Sequence, residues 1–321
     1  MAFFPVVFAN CRSARRWRAF PVVLLALLLS VVTGMSTVEA AESGPASVRY
    51  VASIQPLVAI LAEVTVGRAA VDRLLAPGVS PHTFEPTPSD MKKLASAGAL
   101  FFVGPSLDGE WIGRMPVRRK VGMLGLVPAG FLLPMGEGDS HHHGDHGAQH
   151  EEGGVDPHFW TDPLAVKAML PALVRVLRSL DPEGGTVYAE NALAFAARLD
   201  RLHGELQQLL VPIRHEPVLL FHPSFNYLFH RYGLLQVGVV EESPGREPTP
   251  GSLLALVKKI RRLRVKALFT EPQLARRPAE VLAEAAAISV HELDPLGGSP
   301  GRASYAEILR YNALSLARAL R

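Results

Sequence analysis

Two series of short apolar runs, rich in Val, Ile and Phe, organise this chain. The first series occupies residues 48–54, 71–75, 100–103 and 121–124, and the second occupies 218–221, 237–240, 267–270 and 289–293. The runs alternate with stretches whose apolar residues have helical spacing, which predicts βα units around a parallel sheet. Between the series, Tyr188, Ala192, Phe195, Leu199, Leu202, Leu206 and Leu209 step by four and three. That stripe predicts one continuous helix over about 186–210, with His203 on its solvated side. At ~1.5 Å per residue it spans about 37 Å, enough to run the height of two lobes. The expected fold is therefore α/β: two βα lobes with parallel sheets, 41–185 and 212–321, joined by a long backbone helix over 186–211. A stiff connector of this length predicts a modest hinge.

The N-terminal forty residues stand apart from this pattern. Arg12, Arg15, Arg16 and Arg18 precede an apolar run over 20–32, and Val38, Glu39 and Ala40 precede Ala41. A basic start, a short apolar run and a small-residue end predict a secretory signal at 1–40, cleaved near Ala40. About 13 apolar residues are too few for the ~20 of a membrane span. The pair Arg15-Arg16 leaves Sec and twin-arginine export both open. Removing the signal takes four Arg and one Glu from the 33 basic and 30 acidic residues, leaving the mature chain balanced. A nucleic-acid partner thereby loses its electrostatic support.

Cys11 is the single cysteine and lies ahead of the apolar run, so any metal site in the mature chain uses nitrogen and oxygen donors. Four residues in Pro-flanked or strand-ending segments supply them. His82 stands in Pro81-His82-Thr83, where Thr87, Pro88 and Asp90 predict a capped helix start just beyond. His158 lies in Asp156-Pro157-His158, and Asp162-Pro163 predicts the next helix; Asp156 and Asp162 read foremost as turn and cap residues. His222 and Asp294 end apolar runs of the second series, as does Glu271 in Thr270-Glu271-Pro272. Residues past the carboxyl ends of parallel strands are where open α/β sheets bind ligands.

Three imidazoles and one carboxylate meet the four-coordinate preference of zinc, and a site richer in carboxylate would suit manganese better. Glu271 is a weaker candidate, either an acceptor for an imidazole N–H behind the ligands or a helix-start acid. His230 and His291 fall within a helix and a strand and are read as structural. Segment 136–154 is poor in apolar residues and carries His141, His142, His143, His146 and His150, which predicts a mobile loop with weak metal affinity.

In order along the chain, Ser53-Ile54-Gln55-Pro56-Leu57, Pro81-His82, the His-rich insertion, Asp156-Pro157-His158, Phe221-His222-Pro223, Phe269-Thr270-Glu271-Pro272 and Asp294-Pro295-Leu296-Gly297 form a set. That set resembles the solute-binding proteins of zinc-importing ABC transporters, the cluster A-I metal receptors that serve as the periplasmic component of high-affinity zinc uptake. The resemblance implies a metal site in the cleft between the lobes, with His82 and His158 from the first and His222 and Asp294 from the second. It implies Zn2+ as cargo, a membrane permease and its ATPase as partners, a periplasmic location and a monomer. His222 stands where manganese-binding relatives carry a carboxylate, and a His-rich loop is a habit of zinc members. Some zinc members hold a disulfide in the second lobe, which this chain cannot form. The loop either gathers zinc and passes it inward, receives it from a periplasmic metallochaperone, or is a solvated spacer.

Alternatives follow from the same residues. A manganese or iron receptor of the same class keeps the architecture and changes the ion. A zinc hydrolase would use three His with an open position, and Glu271 as base, but no His-Glu-x-x-His helix or nucleophile motif is present. A surface adhesin, a role attributed to some family members, is weakened by the lack of a lipid-anchor cysteine. For imidazole ligands of ordinary basicity, zinc affinity is expected to fall as pH drops through about 6.5.

Overall fold

The computed structural model describes residues 48–135, 154–241 and 248–321. The expected signal at 1–40 and the five loop histidines between 141 and 150 lie outside the described residues. The described residues form eight strands and nine α-helices.

The first sheet contains β1 (Val48–Ala52), β2 (Ala69–Arg73), β3 (Ala99–Phe102) and β4 (Lys120–Gly122), all parallel, in the order β2-β1-β3-β4. The second contains β5 (Pro217–Leu220), β6 (Leu235–Val239), β7 (Ala267–Thr270) and β8 (Ser289–Glu292), again parallel, in the order β6-β5-β7-β8. Both lobes thus repeat one winding, with the strand order reversing direction between β1 and β3 and between β5 and β7. The expected runs overlap these strands with shifts of one or two residues at their ends. Runs such as Tyr50, Val51 and Ala52, or Leu268 and Phe269, are buried because helices cover both faces of a parallel sheet.

Helices follow the strands: α1 (Gln55–Thr65) after β1, α2 (Pro88–Ala95) after β2 and α3 (Glu110–Gly113) after β3. The first lobe then supplies α4 (Pro163–Leu180), and α5 (Gly185–Leu210) leads into the second sheet. There α6 (Asn226–Tyr232), α7 (Pro250–Leu263), α8 (Arg276–Ala286) and the terminal α9 (Tyr305–Leu320) complete the pattern. The long helix has 26 residues, and its stripe of Tyr188, Ala192, Phe195, Leu199, Leu202 and Leu206 is buried. At its end Leu210 is buried and Leu209 is only partly so. His203 differs from expectation: it is half-buried, with Nδ1 3.2 Å from the Tyr232 hydroxyl.

One hydrophobic cluster runs from the first sheet through α4, α5 and α9 into β5, β7 and the Leu293–Leu296 turn. A smaller one fills the far side of the second sheet around Leu219, Phe221, Leu268 and Leu282. Each large side chain fully buried in these clusters contributes about 1.5–3 kcal/mol of transfer free energy. Because the larger cluster is shared, separating the lobes widely would expose apolar surface. Among the described residues no helix is long and apolar enough to cross a membrane.

Candidate metal centre

His82 is carried on the segment after β2. Thr87 caps α2 in a capping box with Asp90, and Pro88 occupies the helix's first turn, so the far end of the segment is fixed. Its near end is held by Trp111 Nε1, which donates to the Pro81 carbonyl at 3.1 Å. The His82 amide donates to Ser80 Oγ at 3.3 Å.

His158 precedes a short 3-10 turn over Phe159–Thr161, and Thr161 Oγ1 donates back to its carbonyl at 3.0 Å. Its ring lies at 5.3 Å from the Trp160 ring, edge to face. His222 lies two residues past the end of β5, and Glu271 follows β7 directly. These two residues flank the place where the second sheet's strand order reverses, the crevice that open α/β sheets use for ligands.

These three segments bring one nitrogen each of His82, His158 and His222 within 4.8 Å of one another, the one such group of potential metal ligands among the described residues. Ring centroids are 5.1 Å apart for His82 and His222, 5.5 Å for His158 and His222, and 6.1 Å for His82 and His158. Nitrogens around a tetrahedral zinc at ~2.05 Å would be about 3.4 Å apart, so a contraction of at most about 1.4 Å would bring the three to ligating separation. The space they line holds about 20 Å³, walled also by Ser224, Glu271, Gln273 and Leu296. That volume accepts an ion or roughly one water and no organic substrate.

The protonation pattern suits a cation. His222 Nδ1 faces the Glu241 carbonyl at 3.4 Å, and a carbonyl only accepts, so the hydrogen sits on Nδ1. His222 Nε2 is then a bare lone pair, buried and without a hydrogen-bond partner. Such an orphan is costly unless something electrophilic occupies the space before it. Burial, reinforced by the nearby His158, lowers the His82 imidazole to about 4. Burial, then the charges of His158 and His82, lowers His222 to about 2. Both rings therefore stay neutral and ready to ligate well below pH 6.5, which moves the expected proton competition at these two positions to lower pH.

Asp294 is placed differently from the sequence expectation. It is buried and stands outside the three-imidazole group. Its Oδ1 accepts from Gly297 N at 2.8 Å, Gln273 Nε2 at 2.9 Å and Leu296 N at 3.2 Å. Arg302 Nη1 stands 2.9 Å from its Oδ2. Gly297, at φ 66°, permits this turn, where a Cβ would meet the Arg302 carbonyl at 2.6 Å. Asp294 is thus committed to an internal turn, and the arginine that makes this possible is eight residues downstream with no local motif to announce it.

Glu271, the weaker candidate, is the carboxyl that lines the space. It accepts the Ser224 hydroxyl proton, and burial pushes it up to about 8, opposed by the Ser224 bond and supported by the Asp294 charge. His291 is engaged by Ser289 Oγ at 2.9 Å, and His230 is exposed on α6, both apart from the centre.

Asp156 and Asp162 exceed the turn and cap roles expected of them. Asp162 does cap α4 through Leu164 N at 2.8 Å, and its Oδ2 also pairs with Arg231 of α6 at 2.7 Å. Asp156 contacts His158 itself, with Oδ1 2.8 Å from Nδ1. A carboxylate two residues before a candidate ligand was the available signal.

Comparison with known proteins identifies the family. Residues 51–319 match the family model for ZnuA, the periplasmic zinc-uptake complex component A. The chain is 28% identical over 299 residues to the high-affinity zinc uptake system protein ZnuA of Brucella abortus strain 2308, covering 83% of this chain and 90% of that protein. It is 24% identical over 279 residues to the zinc-binding lipoprotein AdcA of Streptococcus pneumoniae serotype 4, covering 85% of this chain and 55% of that longer protein. A crystal structure of ZnuA aligns with a TM-score of 0.73 at 27% identity, over 85% of this chain and 99% of that one. A ZnuA deletion mutant with zinc bound aligns at 0.70 and 26% identity, over 85% and 98%. With paired parallel sheets, a three-imidazole centre and a family match across nearly all the described residues, the chain belongs to the periplasmic zinc-uptake complex component A family.

Proposed function

We propose that this chain captures Zn2+ on His82, His158 and His222 and delivers it to the membrane permease of an ABC importer. The observation that carries the reading is the buried, unpartnered Nε2 of His222 beside two further imidazoles in a space sized for an ion. An all-nitrogen protein donor set favours zinc over manganese, whose preference is for oxygen. The same set is compatible with other borderline divalent ions, so iron remains the runner-up. The family's role is transport: the ion is cargo and no bond in a substrate is made or broken.

In this reading the ion exchanges its waters for three neutral nitrogens and keeps one position for a water or a carboxyl. Glu271, which lines the same space, is one candidate for that position, and Asp294, paired with Arg302, is the other. The receptor acts as an exported monomer in the periplasm, with its signal removed near Ala40. The His-rich segment 136–154 collects zinc, accepts it from a metallochaperone, or serves as a solvated spacer. Isothermal titration of metal-free protein with Zn2+ and Mn2+ tests the assignment. One tight zinc site that manganese does not displace is expected, and preference for manganese would overturn it.

A further inference from the structure

Asp156 makes contacts that neither a turn nor a cap requires. It is 2% exposed and divides its oxygens between the lobes. Oδ1 takes the His158 backbone N–H at 2.9 Å and faces His158 Nδ1 at 2.8 Å. Oδ2 accepts from Asn226 Nδ2 at 2.9 Å, on the first residue of α6 and four residues beyond His222. The neighbouring Tyr227 hydroxyl donates to the Asp156 carbonyl at 2.8 Å and accepts from Leu133 N at 3.1 Å. An ionised carboxylate only accepts, so the contact at Nδ1 places the imidazole hydrogen there and leaves Nε2 bare toward the pocket.

We propose that Asp156 is a positioning residue for the cargo ion: it fixes the tautomer and aim of His158 and, through Asn226, holds that ligand in register with His222 of the second lobe. This rests on the zinc reading given above and adds a residue to it. When a divalent ion draws charge from Nε2, the opposite N–H becomes a stronger donor, so the hydrogen bond to Asp156 strengthens on loading.

Asp156→Asn is the informative variant, because an amide offers one oxygen where the carboxylate offers two. With the oxygen toward Asn226, His158 loses its acceptor; with the oxygen toward His158, the new NH2 faces Asn226, which must turn its own amide oxygen to meet it. Zinc affinity is expected to fall about 10–100-fold, the usual cost of removing a partner behind a metal ligand. In zinc-free protein, long-range 1H–15N spectra should show His158 as a single Nδ1-protonated tautomer in the wild type and as a mixture in the variant. Asn226→Ala should keep the tautomer and speed zinc release several-fold. A folded Asp156→Asn protein with wild-type zinc affinity and an unchanged tautomer would overturn the proposal. Should that variant fail to fold, an Nε2-protonated His158 in zinc-free wild type overturns it equally. Absence of zinc binding by the wild type would instead remove the function reading, while the tautomer measurement still decides the role of Asp156.

Discussion

Arg302 pairs with Asp294: its Nη1 lies 2.9 Å from Asp294 Oδ2 and 3.0 Å from Glu292 Oε1, bridging two acids near the end of β8. A buried carboxylate with four donors in attendance is part of the fold before it is part of any metal site. Removing it takes the acceptor from Gly297 N, Leu296 N and Gln273 Nε2, while Arg302 keeps only Glu292. Asp294→Ala should therefore cost about 3–5 kcal/mol of stability in the metal-free protein, while zinc affinity of the folded fraction falls less than for any of the His variants. Thermal unfolding beside zinc titration of the same samples checks both halves. A larger loss of affinity than His82→Ala would show that Asp294 does reach the ion.

The depressed imidazoles make the metal-free protein acid-sensitive. His82 and His222 are held below their unfolded value near 6.5, so in acid the unfolded chain takes up more protons than the folded one. Their contribution is whole above about pH 6.5 and is lost as pH falls through about 4 for His82 and about 2 for His222. The metal-free melting temperature should drop between these limits, and His222→Leu should flatten the lower part of the curve. A melting temperature independent of pH from about 7 down to about 4 would contradict the burial of these rings.

Proton release on loading follows from the same cause. At about pH 6, His82 and His222 are already neutral and contribute no protons to the exchange. Titrations in buffers of different ionisation enthalpy should give about one proton or fewer per zinc. One proton can come from Glu271, pushed up to about 8, if its carboxyl takes the fourth position, so more than two would mean that His82 and His222 are solvated in the free protein.

Trp160 offers an optical reporter. Its ring is 5.3 Å from the His158 ring, and its Nε1 donates to the Pro295 carbonyl at 2.9 Å across the lobes. Zinc should change tryptophan emission, and Trp160→Phe should remove most of that change. Losing the buried hydrogen bond should cost about 1–3 kcal/mol of stability. If the response survived the substitution, Trp111 rather than the His158 neighbourhood would be reporting.

The His-rich tract is predicted to be separable from the cleft. Deleting residues 140–150 should leave one tight zinc site and remove the weaker ones, because the cage of His82, His158 and His222 is already assembled without that tract. Loss of the tight site on deletion would join the two functions.

The strands were legible because a sheet covered on both faces demands unbroken apolar runs, and the long helix because one face of it must be apolar. His82, His158 and His222 were legible because each sits in a short Pro-flanked segment at a strand's carboxyl side or a helix's start. Asp294 has the same local signature as His222, yet its environment is set by Arg302 and Gln273, which come from outside its segment. Asp156 went the other way: its turn-forming sequence hid a contact to Asn226, 70 residues away. Local pattern reports which face of an element is buried, whereas the partner of a buried charge is decided by packing between elements.

The most direct test is zinc binding by metal-free protein, wild type beside His82→Ala, His158→Ala and His222→Ala, measured by competition with a chromophoric chelator. One tight zinc per wild-type chain, weakened by several orders of magnitude in every variant while folding is retained, is the result expected of a three-imidazole cage. A tight site that survives loss of any one of these rings would place the cargo elsewhere in the molecule.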